Sequence, residues 1–342
     1  MPEAAADISC RAAGPCGLIT LARPQALNAL TYDMVRAIAA ALDAWEHDPA
    51  ITRVVIRSSG GRAFCAGGDI RLLHAQGRAG RHEEQLAFLA DEYRLNQRIK
   101  QYPKPYIALV DGIVMGGGVG VSLHGSHVAA GDAFSFAMPE AGIGFFPDVG
   151  ATHFLPRLPG MAGTRLALTG ARVGAGEALA LGLVHAHVPG PAFATVAQRL
   201  AAGDDADMVL APFATKPALA RDDALDACFA AGSVAGIMAR LEALASPDAS
   251  ALKQKSPTSL AIALRQMQAG AGLDMRAAME LEFAIVSRLC LGHDFYEGVR
   301  ALVLDKDQRP QWRPASLADV DPAEIDRHFR PLARGLFAGA PP

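Results

Sequence analysis

Short β-branched runs alternate with segments of helical period along the first half of the chain. Gly17 to Ala22 reads as a strand. From Thr31 to Glu46 the apolar positions Val35, Ile38, Leu42 and Trp45 share one face, which predicts a helix with Thr31 as its N-cap. Val54-Val55-Ile56 and Tyr106-Ile107-Ala108-Leu109-Val110 read as buried strands, each leading into a glycine-rich turn and then a helix. Strand, turn, helix, repeated, defines an α/β domain; the pattern alone leaves open a doubly wound sheet or a spiral of ββα units. Near Pro189-Gly190-Pro191 the strand signal fades, and the remainder of the chain is Ala- and Leu-rich with helical spacing, interrupted by a predicted loop at Ser246-Pro247-Asp248-Ala249-Ser250. The expected organisation is an α/β core over residues 1–190 and a mostly helical region over 191–342. In the latter, Met275, Met279, Phe283 and Val286 recur as a packed helix face.

Composition narrows the classes. The 342 residues are 51% hydrophobic, and 32 basic and 35 acidic residues are mixed along the chain for a net charge of −3. That balance suits a folded protein and provides no electrostatic footprint for nucleic acid. The most apolar stretch, Ile113 to Leu123, is too short to cross a bilayer and is broken by Gly116, Gly117, Gly118 and Gly120, so no membrane partner is expected. Five cysteines without a framework spacing suit a reducing, cytoplasmic setting, and Met1 to Asp7 lacks the basic start and apolar run of an export signal.

Candidate chemistry lies in three segments. Phe64-Cys65-Ala66-Gly67-Gly68-Asp69-Ile70 and Asp111 to Gly120 are glycine turns after strands, where the backbone can approach a ligand closely and offer unpaired N–H groups at a helix start to an anion or a developing oxyanion. Neither a correctly spaced G-x-G-x-x-G nor a G-K-[S/T] is present in the second turn, which argues against dinucleotide and P-loop sites. In Phe136 to Gly150, two carboxylates, Glu140 and Asp148, lie in an apolar, Gly/Pro-punctuated stretch where burial raises pKa, as acid–base chemistry requires. Other groups weigh less. Ser122 falls one glycine short of a nucleophile elbow, Cys65 has no identifiable histidine partner, and the pairs His124/His127 and His185/His187 lack a clustered ligand set, so no metal is expected.

Together these segments resemble the crotonase, or enoyl-CoA hydratase/isomerase, superfamily, through Phe64 to Ile70, Ile107 to Gly118 and Pro139-Glu140. Glu92-Tyr93-Arg94-Leu95-Asn96, Met115 to Gly125, Phe136 to Asp148 with Phe154 to Leu158, and Asp294 to Trp312 narrow the resemblance to a branch that cleaves 3-hydroxyisobutyryl-CoA. The likeness implies a crotonase-like spiral of ββα units with a helical C-terminal region and an acyl-CoA substrate without separate cofactor; superfamily members often form trimers or hexamers, and the extended C-terminal region leaves open a single chain that covers the same surface itself. It implies oxyanion donors at Gly68 N–H and Gly117 N–H, catalytic carboxyls at Glu140 and Asp148, and Glu92 helping to hold the substrate's polar end or its carboxylate neighbours. Ala66, Asp69 and Ile70 fall where the superfamily lines the coenzyme A path, and Lys306 falls where its closing helix carries a lysine toward the coenzyme. Hydratases of the superfamily carry a second glutamate two residues after the glycine triplet; this chain has Gly120 there. The expected reaction is therefore thioester hydrolysis, with Glu140 acting as nucleophile or as general base.

Overall fold

The computed structural model describes residues 7–338, so the leading segment before Asp7 lies outside the described residues. The chain divides into two compact units interleaved in sequence. The first comprises the described residues up to Asp69 with Leu95–Ala137 and Arg172–Leu219; the second comprises Ile70–Arg94, Met138–Ala171 and the chain from Ala220 onward.

The first unit is built on two sheets. The six-stranded sheet has the order β1 (Ile8–Ala13), β2 (Cys16–Leu21), β3 (Arg53–Ser58), β5 (Tyr106–Val110), β7 (His127–Ala130), β10 (Ala186–His187), parallel except for the β1–β2 hairpin. The second sheet contains β4 (Ala63–Cys65), β6 (Ile113–Met115), β8 (Ser135–Ala137) and β9 (Val173–Gly174). Each of β3, β5 and β7 is followed by one short strand of the second sheet, which decides for the spiral of ββα units over a doubly wound sheet. The short strands escape the hydrophobic pattern because three residues cannot establish a period. Helix α1 (Tyr32–Glu46) buries Val35, Ile38, Leu42 and Trp45 as the periodicity requires, and the Thr31 side chain accepts the Met34 N–H at 3.3 Å. A core cluster of Leu18, Val55, Ile107, Leu109 and Ala129 from the central strands is extended by Val196, Leu200 and Val209 from the segment after β10.

The second unit is helical. The expected loop at Ser246 is instead a helix, Pro247–Lys253: Ser246 is its N-cap, accepting the Asp248 N–H at 3.3 Å, and Pro247 opens the first turn. Ser-Pro-Asp carries turn chemistry and helix-start chemistry alike, and packing of Ala249 and Leu252 against Ile237, Leu241 and Leu260 selects the helix. Helices Pro257–Gly270 and Met275–Leu289 come next along the chain. Among the described residues no helix is long and apolar enough to cross a membrane.

Candidate active site

The two glycine turns leave neighbouring parallel strands, β4 and β6, at the same end. After β4 the chain runs beside Leu30, whose N–H donates to Gly67 O at 2.8 Å and whose carbonyl accepts Asp69 N–H at 2.9 Å. In a parallel bridge of this kind the residue between those two bonds directs its own N–H away from the partner strand. Gly68 is that residue, and its N–H has no protein partner among the described residues. Gly117 opens the short helix Gly117–Gly120, and its N–H is likewise unpartnered. The turns lie close together: a Cβ added to Gly67, which sits at φ +119°, would be 4.0 Å from Gly117 N. That helix spans only four residues, so an anion placed there would meet individual N–H groups rather than a helix dipole.

Close approach also explains Cys65 and Ser122. A Cβ on Gly118 would meet Cys65 O at 2.3 Å, so Cys65 is a packed wall of the second turn. Ser122 is fully buried, with its hydroxyl donating to Gly118 O at 2.6 Å, a back-bond along the helix and not a poised nucleophile. At Gly120 a Cβ would stand 2.6 Å from Asn96 Nδ2 and 2.8 Å from Asn96 Oδ1, so the Asn96 amide occupies the space where a side chain at 120 would begin. The histidines serve local contacts: His187 Nε2 lies 3.0 Å from Asp132 Oδ1, His127 Nε2 lies 3.2 Å from Asp207 Oδ1, and His185 Nδ1 accepts the Val128 N–H.

The second unit holds a group of buried carboxyls. Glu140 begins a short 3₁₀ turn (Glu140–Ile143); its carboxyl bonds back to its own backbone, and Oε2 is buried without a partner among the described residues. Burial first, and the Asp148 charge second, hold its carboxyl well above the usual carboxylate range, while the nearby Lys255 ammonium pulls the other way. Asp148 is buried and its Oδ2 accepts the Tyr93 hydroxyl at 2.7 Å; burial pushes it up to about 7 against the lowering effect of that bond. Glu92 is buried with Oε1 unpartnered, and burial together with Asp148 raises it well above its ordinary value. Three of the expected site residues thus interact within one unit, with Asp148 as the common neighbour.

Two residues of this cluster carried no expectation from sequence. Tyr93 holds Asp148. Glu282, fully buried on the helix Met275–Leu289, accepts the N–H of Gly150 at 2.8 Å and of Thr152 at 2.9 Å, and burial plus the Asp148 charge push it up to about 8. Gln266 donates to Pro147 O and, at 2.7 Å, to Thr152 Oγ1, so the segment carrying Asp148 is held by two buried polar side chains from two helices. The signal for Glu282 was visible: it falls between Met279 and Val286 on the apolar stripe, and a carboxylate on a core-facing stripe needs a purpose. Phe283, which the stripe placed in the core, is only half buried.

The coenzyme-path residues are less committed to a ligand. Asp69 Oδ2 is 3.1 Å from Arg23 Nη2, and the Ala66 N–H donates to Leu27 O, so both are engaged within the first unit. Ile70 opens helix Ile70–Arg78 and is half buried. Lys306 is exposed at φ +58°, in a loop whose flanking Asp305 and Asp307 are drawn back onto the Arg300 guanidinium at 2.8 and 2.6 Å.

Paired N–H donors and buried carboxyls are equipment for acting on an activated carbonyl, and comparison with known proteins defines the class. The enoyl-CoA hydratase/isomerase family model matches residues 16–329, and the chain belongs to that family. Within it, the chain is 40% identical to the mitochondrial 3-hydroxyisobutyryl-CoA hydrolase of Danio rerio, covering 96% of this chain and 91% of that protein. It is 38% identical to the corresponding protein of Homo sapiens over 96% and 90% of the two chains. Among solved structures, one named as a carnitinyl-CoA dehydratase from Mycobacterium thermoresistibile superposes with a TM-score of 0.92 at 36% identity, covering 98% of this chain and 99% of that one. Another, named as an enoyl-CoA hydratase from Rhodobacter sphaeroides 2.4.1, superposes at 0.87 with 41% identity over 95% and 98%. The fold is the crotonase spiral. The names divide between hydrolase and hydratase or dehydratase, and position 120 bears on the choice.

Proposed function

We propose that this chain hydrolyses the thioester of 3-hydroxyisobutyryl-CoA to 3-hydroxyisobutyrate and free coenzyme A. The observation that carries this reading is the pairing of a buried Glu140 carboxyl, one oxygen of which is unpartnered, with a buried Asp148, while position 120 is a glycine whose side-chain space is taken by an amide. Addition of water across a double bond, as performed with two glutamates around one water, lacks its second glutamate at that position. Thioester hydrolysis needs an oxyanion site, one carboxylate to attack or to activate water, and one group to move protons.

In the proposed sequence the thioester oxygen is received by Gly68 N–H and Gly117 N–H, and loss of one such donor typically costs roughly 100- to 1,000-fold in rate. Glu140 attacks the thioester carbonyl to give a mixed anhydride and the coenzyme thiolate, or draws a proton from water that attacks instead. Asp148, held by Tyr93, orients the 3-hydroxyl and water and relays protons, with Glu92 supporting it at the substrate's polar end. A thioester is already an activated acyl group, so the proposed reaction calls for no metal or redox cofactor. Ala66, Asp69, Ile70 and Lys306 are proposed to line the coenzyme, and a cytoplasmic setting belongs to the same proposal.

Thiol-release rates over a panel of short acyl-CoAs test it. The expected outcome is release of free thiol from 3-hydroxyisobutyryl-CoA, lowered about 100- to 10,000-fold by Glu140→Gln. Conversion of an enoyl-CoA to its hydrated form without thiol release would replace the reading with a hydratase. Transfer of heavy oxygen from labelled water into Glu140 in a single turnover selects the anhydride route over the general-base route.

A further inference from the structure

The first unit contains a polar group that the proposed reaction does not use. Asn96 is fully buried, and among the described residues neither Nδ2 nor Oδ1 has a hydrogen-bond partner. Leaving both halves of an amide dry and unpaired costs about as much as two lost hydrogen bonds, so a native protein keeps such a group where something else completes it. The group is not a packing residue by default either, because an apolar side chain of the same shape fills the same space without that cost. Its amide lies against the bare Cα of Gly120, and any side chain at 120 would collide with it. Glycine at 120 and the unpaired amide at 96 are therefore one device.

We propose that Asn96 is a specificity-determining residue that recognises the hydroxyl group of a 3-hydroxyacyl thioester, Oδ1 accepting its proton and Nδ2 donating to its oxygen, in place of the hydroxyl-orienting role given above to Asp148, which keeps the water and the proton relay. This deepens the hydrolase reading and rests on it. A partner for both amide atoms must both donate and accept, which is the property of a hydroxyl and not of a methyl, a carboxylate or an ammonium. Position also fits: Gly120 stands three residues along the chain from Gly117, about 4.5 Å at helical rise, and two carbon–carbon bonds separate a thioester carbon from the carbon bearing a 3-hydroxyl.

The test compares 3-hydroxyisobutyryl-CoA with isobutyryl-CoA, which differs by the hydroxyl alone, in the wild type, in the near-isosteric Asn96→Leu and in Asn96→Ala. The wild type is expected to favour the hydroxylated substrate. In Asn96→Leu, kcat/KM for that substrate falls about 10- to 100-fold while kcat/KM for isobutyryl-CoA changes by less than about threefold, as the loss of two neutral hydrogen bonds dictates. Gly120→Ala, which displaces the amide, erodes the same preference. Binding of the two non-hydrolysable thioether analogues is measured alongside. A chain that binds the hydroxylated analogue preferentially, through Asn96, but releases no thiol overturns the hydrolase reading and upholds this one. Equal losses on both substrates mean that Asn96 holds water or packing, and unchanged preference in both variants means that it faces no substrate; either overturns the proposal.

Discussion

Gly118 shows how little room a single residue has in the first unit. The 2.3 Å between its would-be Cβ and Cys65 O is a backbone clash that no side-chain rotation relieves. Gly118→Ala is expected to lower stability by about 1–3 kcal/mol, read by denaturant unfolding, and to reduce thiol release beyond that loss by shifting Gly117. Lys255 acts on a single residue in the second unit. Its ammonium favours the ionised form of Glu140, so Lys255→Met removes that help and moves the acid limb of the pH–rate profile upward. The sign comes from the role: a carboxylate that attacks or takes a proton is inactive when protonated, so kcat/KM rises with pH through its raised pKa.

At the scale of elements, the segment from Pro147 to Thr152 is held by side chains from helices distant in sequence. Glu282 accepts two of its N–H groups, and Gln266 takes one carbonyl and one hydroxyl. Removing the carboxylate strands two buried donors, each worth about 1–3 kcal/mol when left unpaired. Glu282→Ala is expected to destabilise the protein by roughly 2–6 kcal/mol and to speed amide exchange at Gly150 and Thr152. Global loss of stability without local loss of protection there would show that the clamp is not what Glu282 contributes. Asp148 and Glu140 were legible as candidates because charges in an apolar, glycine- and proline-broken stretch stand out. Glu282 stood on a visible stripe but carried no assigned role, because a helical stripe is read by its majority, and Tyr93 was hidden because its partner lies 55 residues away.

For the whole molecule, the buried carboxyls couple stability to pH. Asp148 and Glu282 titrate near 4 when the chain is unfolded and at about 7 and about 8 when folded. Both folded-state values are raised, so the stability held by the neutral forms is fully present below the unfolded values and is lost as pH rises through the folded ones. The melting temperature is therefore expected to fall between pH 5 and pH 8.5, opposite in direction to activity. Asp148→Asn is expected to flatten that slope and to raise the melting temperature by a few degrees at pH 8 while abolishing hydrolysis. A slope unchanged by the substitution would place the pH dependence elsewhere.

From the sequence alone came the α/β alternation, α1 with its cap, the strands at Gly17, Val54 and Tyr106, the two glycine turns and the carboxylate pair. Each of these rests on local physics: side-chain periodicity, cap chemistry, the steric freedom of glycine and the cost of charge in an apolar setting. Tertiary structure decided what depends on distant partners. It paired three-residue strands into a second sheet, turned Gly68 N–H away from Leu30, gathered Glu92, Tyr93, Asp148 and Glu282 into one buried network, and set Asn96 against Gly120. A glycine in a sequence records only a missing side chain. Which group stands in the space it leaves is a property of the packed fold.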